Sequence, residues 1–463
     1  MWCGMDELHI TDQVSKASEI ADRLREDEVG VLAATYVDNA GVTRVKGVPL
    51  GRLEHAVTAG VGMSPIFDVF LVNDDITTSE EIGGPEGDLR LFPDLDRAVA
   101  LTAQPGWAWA PVDRYTQDGT VHPACSRSFA RRQVQRAAAA GLELRMSFEI
   151  EWMVGEDDED GSFVAACSGP AYGMGRIVEL SDYLSDVVEA LEEEGVTVEQ
   201  LHPEYAAGQF ELSVGHEDPI GAADTDVLVR HTIRAVSLRH EVQATFAPSV
   251  IAGLVGNGGH VHFSLWRDGR NVFAGGPGRH GLSEEGEAFL AGVLDALPAL
   301  CAIGAPSVSS YLRLVPSHWA GAYQCWAREN REAAVRFVTG LRAYRESAAN
   351  AEVKCFDSSA NPYLVVGSVI ACGLDGIERG LKLPEEMRGD PVGYDAAELA
   401  RMGAARLPTS LPDALEHLAA SAVLREALGS ALYGAFTATR RGEIELFRDH
   451  TPEDVATASR WRY

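Results

Sequence analysis

The spacing of apolar and polar positions predicts short strands alternating with amphipathic helices. Residues 14–28 place apolar side chains at helical spacing. Residues 31–36 and 42–48 read as strands joined by a turn at Asp38-Asn39-Ala40-Gly41. Residues 60–93 are turn-rich around Gly83-Gly84-Pro85, and 107–112 reads as another strand. The turn Asp118-Gly119-Thr120 marks the expected domain boundary, dividing 1–120 from 121–463. Beyond it the pattern predicts a helix at 128–140, a strand at 146–154 and a helix at 181–194. A strand pair follows at 197–201 and 208–214, then a long helix at 224–240. A strand at 261–266 closes on the turn Arg267-Asp268-Gly269. The last third reads as mostly helical, although Glu352 and Lys354 alternate on a further strand. No fixed-period repeat is present. This order gives an α+β fold whose antiparallel or mixed sheet carries the site.

Composition narrows the function classes. A chain of 463 residues is too long for one small core. The net charge of −30 disfavours nucleic acid and anionic membranes, whose phosphates it would repel. The acid is dispersed apart from a run at 156–160, so it serves solubility and could attract a cationic partner. Seven scattered cysteines, none spaced C-x-x-C, imply free thiols in a reducing cytoplasm. The first twelve residues are acidic and polar, unlike a signal peptide. The most apolar stretch near the C-terminus, 363–374, is too short to span a bilayer.

Candidate chemistry lies in several acidic and basic motifs. In Glu149-Ile150-Glu151 the period of two puts both carboxylates on one strand face, opposite Phe148, Ile150 and Trp152. Two like charges side by side repel unless protonated or bridged by cations. Glu204 and Glu211 form a second acidic pair around a turn at Gly208. Gly256-Asn257-Gly258-Gly259-His260-Val261-His262 joins a glycine-rich loop to a strand that carries both histidines on one face. Carboxylates with a histidine suit a hard divalent cation, Mg²⁺ or Mn²⁺, better than zinc. Arg313, Arg331 and Arg336 lie among aromatics and can grip carboxylates or phosphates. Gly276-Pro277-Gly278-Arg279-His280-Gly281 fits G-x-G-x-x-G, but it contains proline and lacks a βαβ context, so it reads as a loop.

In this order, the motifs resemble the glutamine synthetase family of type I over nearly the whole chain. The resemblance rests on Asp38 to Pro49, Glu149-x-Glu151, Glu204 to Glu211, Gly258-x-His260-x-His262, Asn330-Arg331 to Arg336, and Glu352 to Leu364. It implies a small N-terminal β-grasp domain and a large catalytic domain with a curved antiparallel sheet flanked by helices. It also implies that Glu151, Glu204 and Glu211 hold one metal and Glu149, His260 and Glu352 a second, with two or three ions per site. Arg313 would bind the α-carboxylate of glutamate, and Asn257 and Gly258 its backbone. Arg331 and Arg336 would steady the transferring phosphoryl group. Glu199, His262, Ser264 and Arg336 would face ATP. The implied assembly is a homododecamer.

Two departures shape the expected substrate. The family's ammonia pocket uses an acid shortly after the Ser310-Tyr311-Leu312-Arg313-Leu314 motif, where this chain carries Trp319. The N-terminal Asp-Gly-Ser-Ser motif is replaced by Met63-Ser64-Pro65-Ile66-Phe67-Asp68. Losing carboxylates weakens an ammonium site, whereas tryptophan can face an alkyl chain or an amine cation. Asp68 or Asp74 could instead supply the missing acid. Lys354 stands where the family usually has arginine near the reacting carboxylate, and Asn350 replaces an arginine near the nucleotide. The combination resembles actinobacterial glutamine synthetase-like enzymes. The expected activity is ATP-dependent ligation of L-glutamate to a small organic amine, ethanolamine or a polyamine. The rivals are a true glutamine synthetase and a catalytically silent binding protein. No adenylylation tyrosine is assigned near Tyr394.

Overall fold

The computed structural model describes residues 7–463, with side chains from residue 13 onward. The polar character of the first twelve residues and Cys3 therefore lie mainly outside the described residues. The first helix, Glu7–Glu26, is longer than the pattern predicted. It packs with a six-stranded sheet built from β1 (Val31–Val37), β2 (Thr43–Pro49), β3 (Val61–Met63), β4 (Leu89–Pro93), β5 (Val99–Ala100) and β6 (Trp107–Thr116). The order is β2-β1-β6-β4-β3, with β1 and β6 parallel and β5 paired to β6. Leu24, Leu32, Ala34, Leu53, Leu91 and Ala108 fill its core.

The turn after β1 is not a solvent hairpin. Asp38 and Asn39 are buried. Asn361 donates to the carbonyls of Val37 and Asp38 and also caps the helix Pro362–Arg379. Gly41 sits at φ +85°, where a Cβ would collide with the Ser359 carbonyl. The first sheet is thus locked to the loop that follows the last site strand.

The second sheet has eleven strands and runs β17-β14-β15-β16-β12-β7-β10-β9. Its members are β7 (Glu143–Asp157), β8 (Phe163–Ala165), β9 (Val198–Pro203), β10 (Gln209–Val214), β11 (Gln243–Thr245), β12 (Gly259–Arg267), β13 (Arg270–Asn271), β14 (Tyr323–Arg328), β15 (Ala333–Val338), β16 (Asn350–Val353) and β17 (Ala405–Arg406). All pairings are antiparallel except β14 with β15. One face is apolar: Phe148, Ile150, Trp152, Phe210, Leu212, Val261, Phe263, Val335 and Val353 are buried in the main core. The helices Pro219–Arg239, Glu284–Gly304 and Pro362–Arg379 contribute to the same core. The helix Glu284–Gly304 is long and apolar enough to cross a membrane by composition, but 78% of its most apolar window is buried inside the fold. Residues 363–374 belong to a second such core helix. The last third is less purely helical than its pattern suggests, because β14 and β15 precede β16. Six cysteines, Cys125 to Cys372, are free and buried. Residues 276–281 form a loop, as their context predicted.

Candidate active site

The strand register assembles the polar face of the sheet. Across β9, β10 and β7, His202 stands opposite Glu211, and Glu211 opposite Glu151. On β12, His260 faces Glu149 of β7, while His262 faces Glu352 of β16. Glu352 in turn faces Arg336 of β15. A period of two on each strand and one register across the sheet therefore create a charged row spanning six strands.

Distances show a tight cluster. His260 Nδ1 lies 3.3 Å from Glu149 Oε2 and 3.2 Å from Glu352 Oε1. His260 Nε2 lies 3.5 Å from Glu151, and His262 Nε2 lies 3.2 Å from Glu149. Glu352 is fully buried between Arg336 at 3.0 Å and Lys354 at 3.1 Å. His202 touches Glu211 at 3.2 Å and Glu204 at 3.5 Å. Three ligand-like groups form: Glu149, Glu211 and His260; Glu149, His262 and Glu352; and His202, Glu204 and Glu211. The donor atoms in each lie within 4.8 Å of one another.

The site's electrostatics differ from place to place. Burial opposes ionisation of Glu149, yet His262 and His260 outweigh it and hold the carboxyl well below the usual range. Burial likewise opposes the charge on Glu352, but Lys354 and the two histidines bring it down to about 2. Glu149 and Glu352 raise His262 to about 9 against its own burial. Glu211 moves the other way. Burial, then the charges of Glu149, Glu151 and Glu204, push it up to about 7, although His202 opposes them. Burial and Glu151 also raise Glu204. Crowded, oxygen-rich carboxylates of this kind fit a hard divalent cation, which would relieve their repulsion.

The loop before β12 shapes the floor. Gly258 N–H donates to Glu151 at 2.9 Å. A Cβ on Gly258 would fall 2.4 Å from His260, 2.7 Å from Arg313 and 2.8 Å from Glu151, filling the space they share. Asn257 is fully buried. Its amide donates to the carbonyls of Thr245 and Ala247, and its oxygen accepts from Gln209. Its side chain therefore braces the loop. Arg313 is buried and lines the same cavity, donating to the carbonyls of Phe356 and Lys354.

Other predicted residues fall on two sides of this cluster. Arg331 and Trp319 line the cavity that holds Glu151, Glu204, Glu211 and Lys354. Glu199, His262 and Ser264 line a neighbouring pocket together with Asn350, whose oxygen lies 2.9 Å from His262 Nδ1. Arg336 lies between, on Glu352. Of the two aspartates that could supply the missing acid, one is buried and the other is exposed. Asp68 is buried on Arg114 at 2.6 Å and His122 at 2.7 Å, and Asp74 pairs with Arg44.

Sequence reasoning gave no role to His202, Gln209, Tyr172, Tyr205 or Glu332. Gln209 carried a signal, since it lies two residues from the predicted ligand Glu211 on the same strand, β10. Tyr172 donates to Glu204 and stacks on His202 at 5.1 Å. Tyr205 meets Tyr172 edge-on at 5.8 Å and Trp319 edge-on at 5.2 Å. Glu332 accepts the backbone N–H of Trp319 at 2.9 Å. These contacts come from loops, whose spacing in the sequence carries no such information.

Similarity to known proteins agrees with this arrangement. The family profile "Glutamine synthetase N-terminal domain" matches residues 16–122, and "Glutamine synthetase, catalytic domain" matches residues 123–457. The chain is 53% identical over 453 residues to "Gamma-glutamylpolyamine synthetase GlnA3" of Streptomyces coelicolor, covering 97% of each chain. A crystal structure of a "novel glutamine synthase homolog" superposes with a TM-score of 0.84 at 31% identity, covering 94% of this chain and 99% of that one. A "GmaS/ADP complex" superposes with a TM-score of 0.81 at 28% identity, covering 93% and 97%. The chain belongs to the glutamine synthetase family.

Proposed function

We propose that this protein is an ATP-dependent ligase that joins the γ-carboxyl of L-glutamate to an organic amine, with a polyamine favoured over ethanolamine. The observation that carries this reading is the aromatic wall opposite the acidic cluster. Trp319, at the position where the resemblance expects an acid, meets Tyr205 edge-on, and each is 44% exposed. Aromatic faces and edges suit an alkylammonium chain better than a bare ammonium ion. The name of the Streptomyces relative supports the same acceptor. The cavity is about 50 Å³, room for one amine head, so the rest of a longer amine would extend outward past Trp319.

In this reading Glu151, Glu204 and Glu211 hold one Mg²⁺ or Mn²⁺ ion, and Glu149, His260 and Glu352 hold another. His202 adds to the first group, and the total is two or three ions per site. Bound there, the ions would neutralise phosphate charge during phosphoryl transfer. Arg313 and the 257–258 backbone grip glutamate. Arg331, Arg336 and Lys354 face the phosphoryl group as it passes to the γ-carboxylate. Glu199, His262, Ser264 and Arg336 border the nucleotide. The resulting acyl phosphate carries a good leaving group, and an uncharged amine attacks its carbon to give the γ-glutamyl amide, ADP and phosphate. A cytoplasmic homododecamer and a division at 120/121 complete the proposal.

The test is phosphate release from ATP with glutamate and Mg²⁺ against ammonia, ethanolamine, putrescine and spermidine, with products identified by mass. Turnover led by a polyamine supports the reading. Turnover led by ammonia replaces it with a glutamine synthetase. Silence with every acceptor favours the binding protein.

A further inference from the structure

Directly behind Trp319, which lines the cavity, lies a buried carboxylate that none of these ligand sets uses. Glu332 is 6% exposed and precedes β15, next to Arg331. Its Oε1 accepts the Trp319 N–H. Its Oε2 is buried without a hydrogen-bond partner. A buried carboxylate oxygen without a donor destabilises the fold, so folding alone gives no reason to keep it. Its electrostatic neighbours are Lys354 and His318, both lining the cavity, and Asp390. Trp319 and Ser317 hold left-handed backbone conformations, at φ +55° and +59°. Such a turn persists in bulky residues only when held, and the bond to Glu332 helps hold it.

We propose that Glu332 receives the ammonium group of the acceptor amine on Oε2 and takes one proton from it before attack. The inference rests on the ligase reading above. It supplies the carboxylate that the sequence lacks at Trp319, from the turn between β14 and β15. The step balances. The ammonium R–NH3⁺ gives one proton to Glu332, and the nitrogen lone pair of R–NH2 then forms the bond to the acyl carbon. The carbon–oxygen bond to phosphate breaks, and the departing phosphate accepts the second proton. Burial pushes the Glu332 carboxyl upward, with Asp390 adding to it and the Trp319 N–H opposing. A carboxylate raised in this way is a better proton acceptor.

The test compares E332Q with the unaltered protein, using spermidine and hydroxylamine as acceptors across neutral to alkaline pH. Glutamine keeps an oxygen for the Trp319 N–H but cannot take the proton. Hydroxylamine is already uncharged at neutral pH and needs no proton acceptor. E332Q should lose about 100-fold in spermidine-dependent turnover at neutral pH, a typical general-base effect. Hydroxamate formation should fall far less, which also reports that the variant is folded. The spermidine deficit should narrow as pH rises and free amine accumulates. Equal losses with both acceptors, or no loss with spermidine, would overturn the proposal. An unaltered protein that turns over neither acceptor would overturn the ligase reading, and this inference with it.

Discussion

The two ends of the cavity are built by different means. Along the charged row, Glu149, His260, His262, Glu352 and Arg336 sit on neighbouring strands in one register, and each touches at least one other at 3.0–3.9 Å. At the acceptor end, Tyr172, Tyr205 and Trp319 come from three separate loops and meet by ring edges and faces. The first end is rigid and saturated with charge. The second is aromatic and half exposed, and it lies against Glu332, whose Oε2 has no hydrogen-bond partner among the described residues. Chemistry common to a family can be held on the sheet, while the choice of acceptor is left to loops, where a change costs little stability.

Breaking the rigid end should have the largest effect. Glu352 joins His260, Arg336 and Lys354. E352Q keeps the shape but removes the charge that the other three share. Phosphate release with glutamate and spermidine should fall by more than about 100-fold, as for other groups that hold metal or developing charge. Hydroxylamine should give no rescue, since phosphoryl transfer precedes the acceptor. Activity within tenfold of the unaltered protein would make the charged row a structural feature.

Breaking the aromatic end should be milder and more selective. W319A removes one face of the wall that would meet the alkylammonium chain. The KM for spermidine should rise about tenfold, the scale of a partly desolvated cation–π contact, with a smaller change in kcat. A fall in kcat at constant KM would mean that the ring positions the chemistry instead of the acceptor.

The same contrast decides what the sequence could reveal. Glu149, Glu151, His260 and His262 were legible because a strand projects alternate side chains to one face. Their partners across the sheet were legible only through the family resemblance, because no spacing predicts that Glu352 lies opposite His262. The β14–β15 pair escaped notice because it is short and buried, without clean alternation. The side chain of Asn257 braces its loop, which a sequence does not reveal because it does not show where an amide's hydrogen bonds go. Nothing in the local sequence around Glu332 marks it as buried. Its burial depends on the Trp319 turn, a tertiary contact thirteen residues away in sequence.

The smallest effect should appear in stability against pH, and it separates the two ends again. In metal-free protein His262 is raised from 6.5 to about 9 by Glu149 and Glu352. A histidine raised on folding gives stability that is fully present below its unfolded pKa and lost as pH climbs through the folded one. The folded state binds more protons between pH 6.5 and about 9, so stability must fall with rising pH across that window. Thermal melts of metal-free protein should show the His262 contribution as a decline of a few degrees over this range. H262Q should flatten it, because glutamine carries no titrating proton. W319A should keep the slope of the unaltered protein, since the indole it removes is a hydrogen-bond donor that does not titrate. Saturating Mg²⁺ should also flatten it, because a cation on Glu149 and Glu352 removes the charge that raises His262. An H262Q slope equal to that of the unaltered protein would place the proton on another member of the row and leave His262 neutral in the folded state.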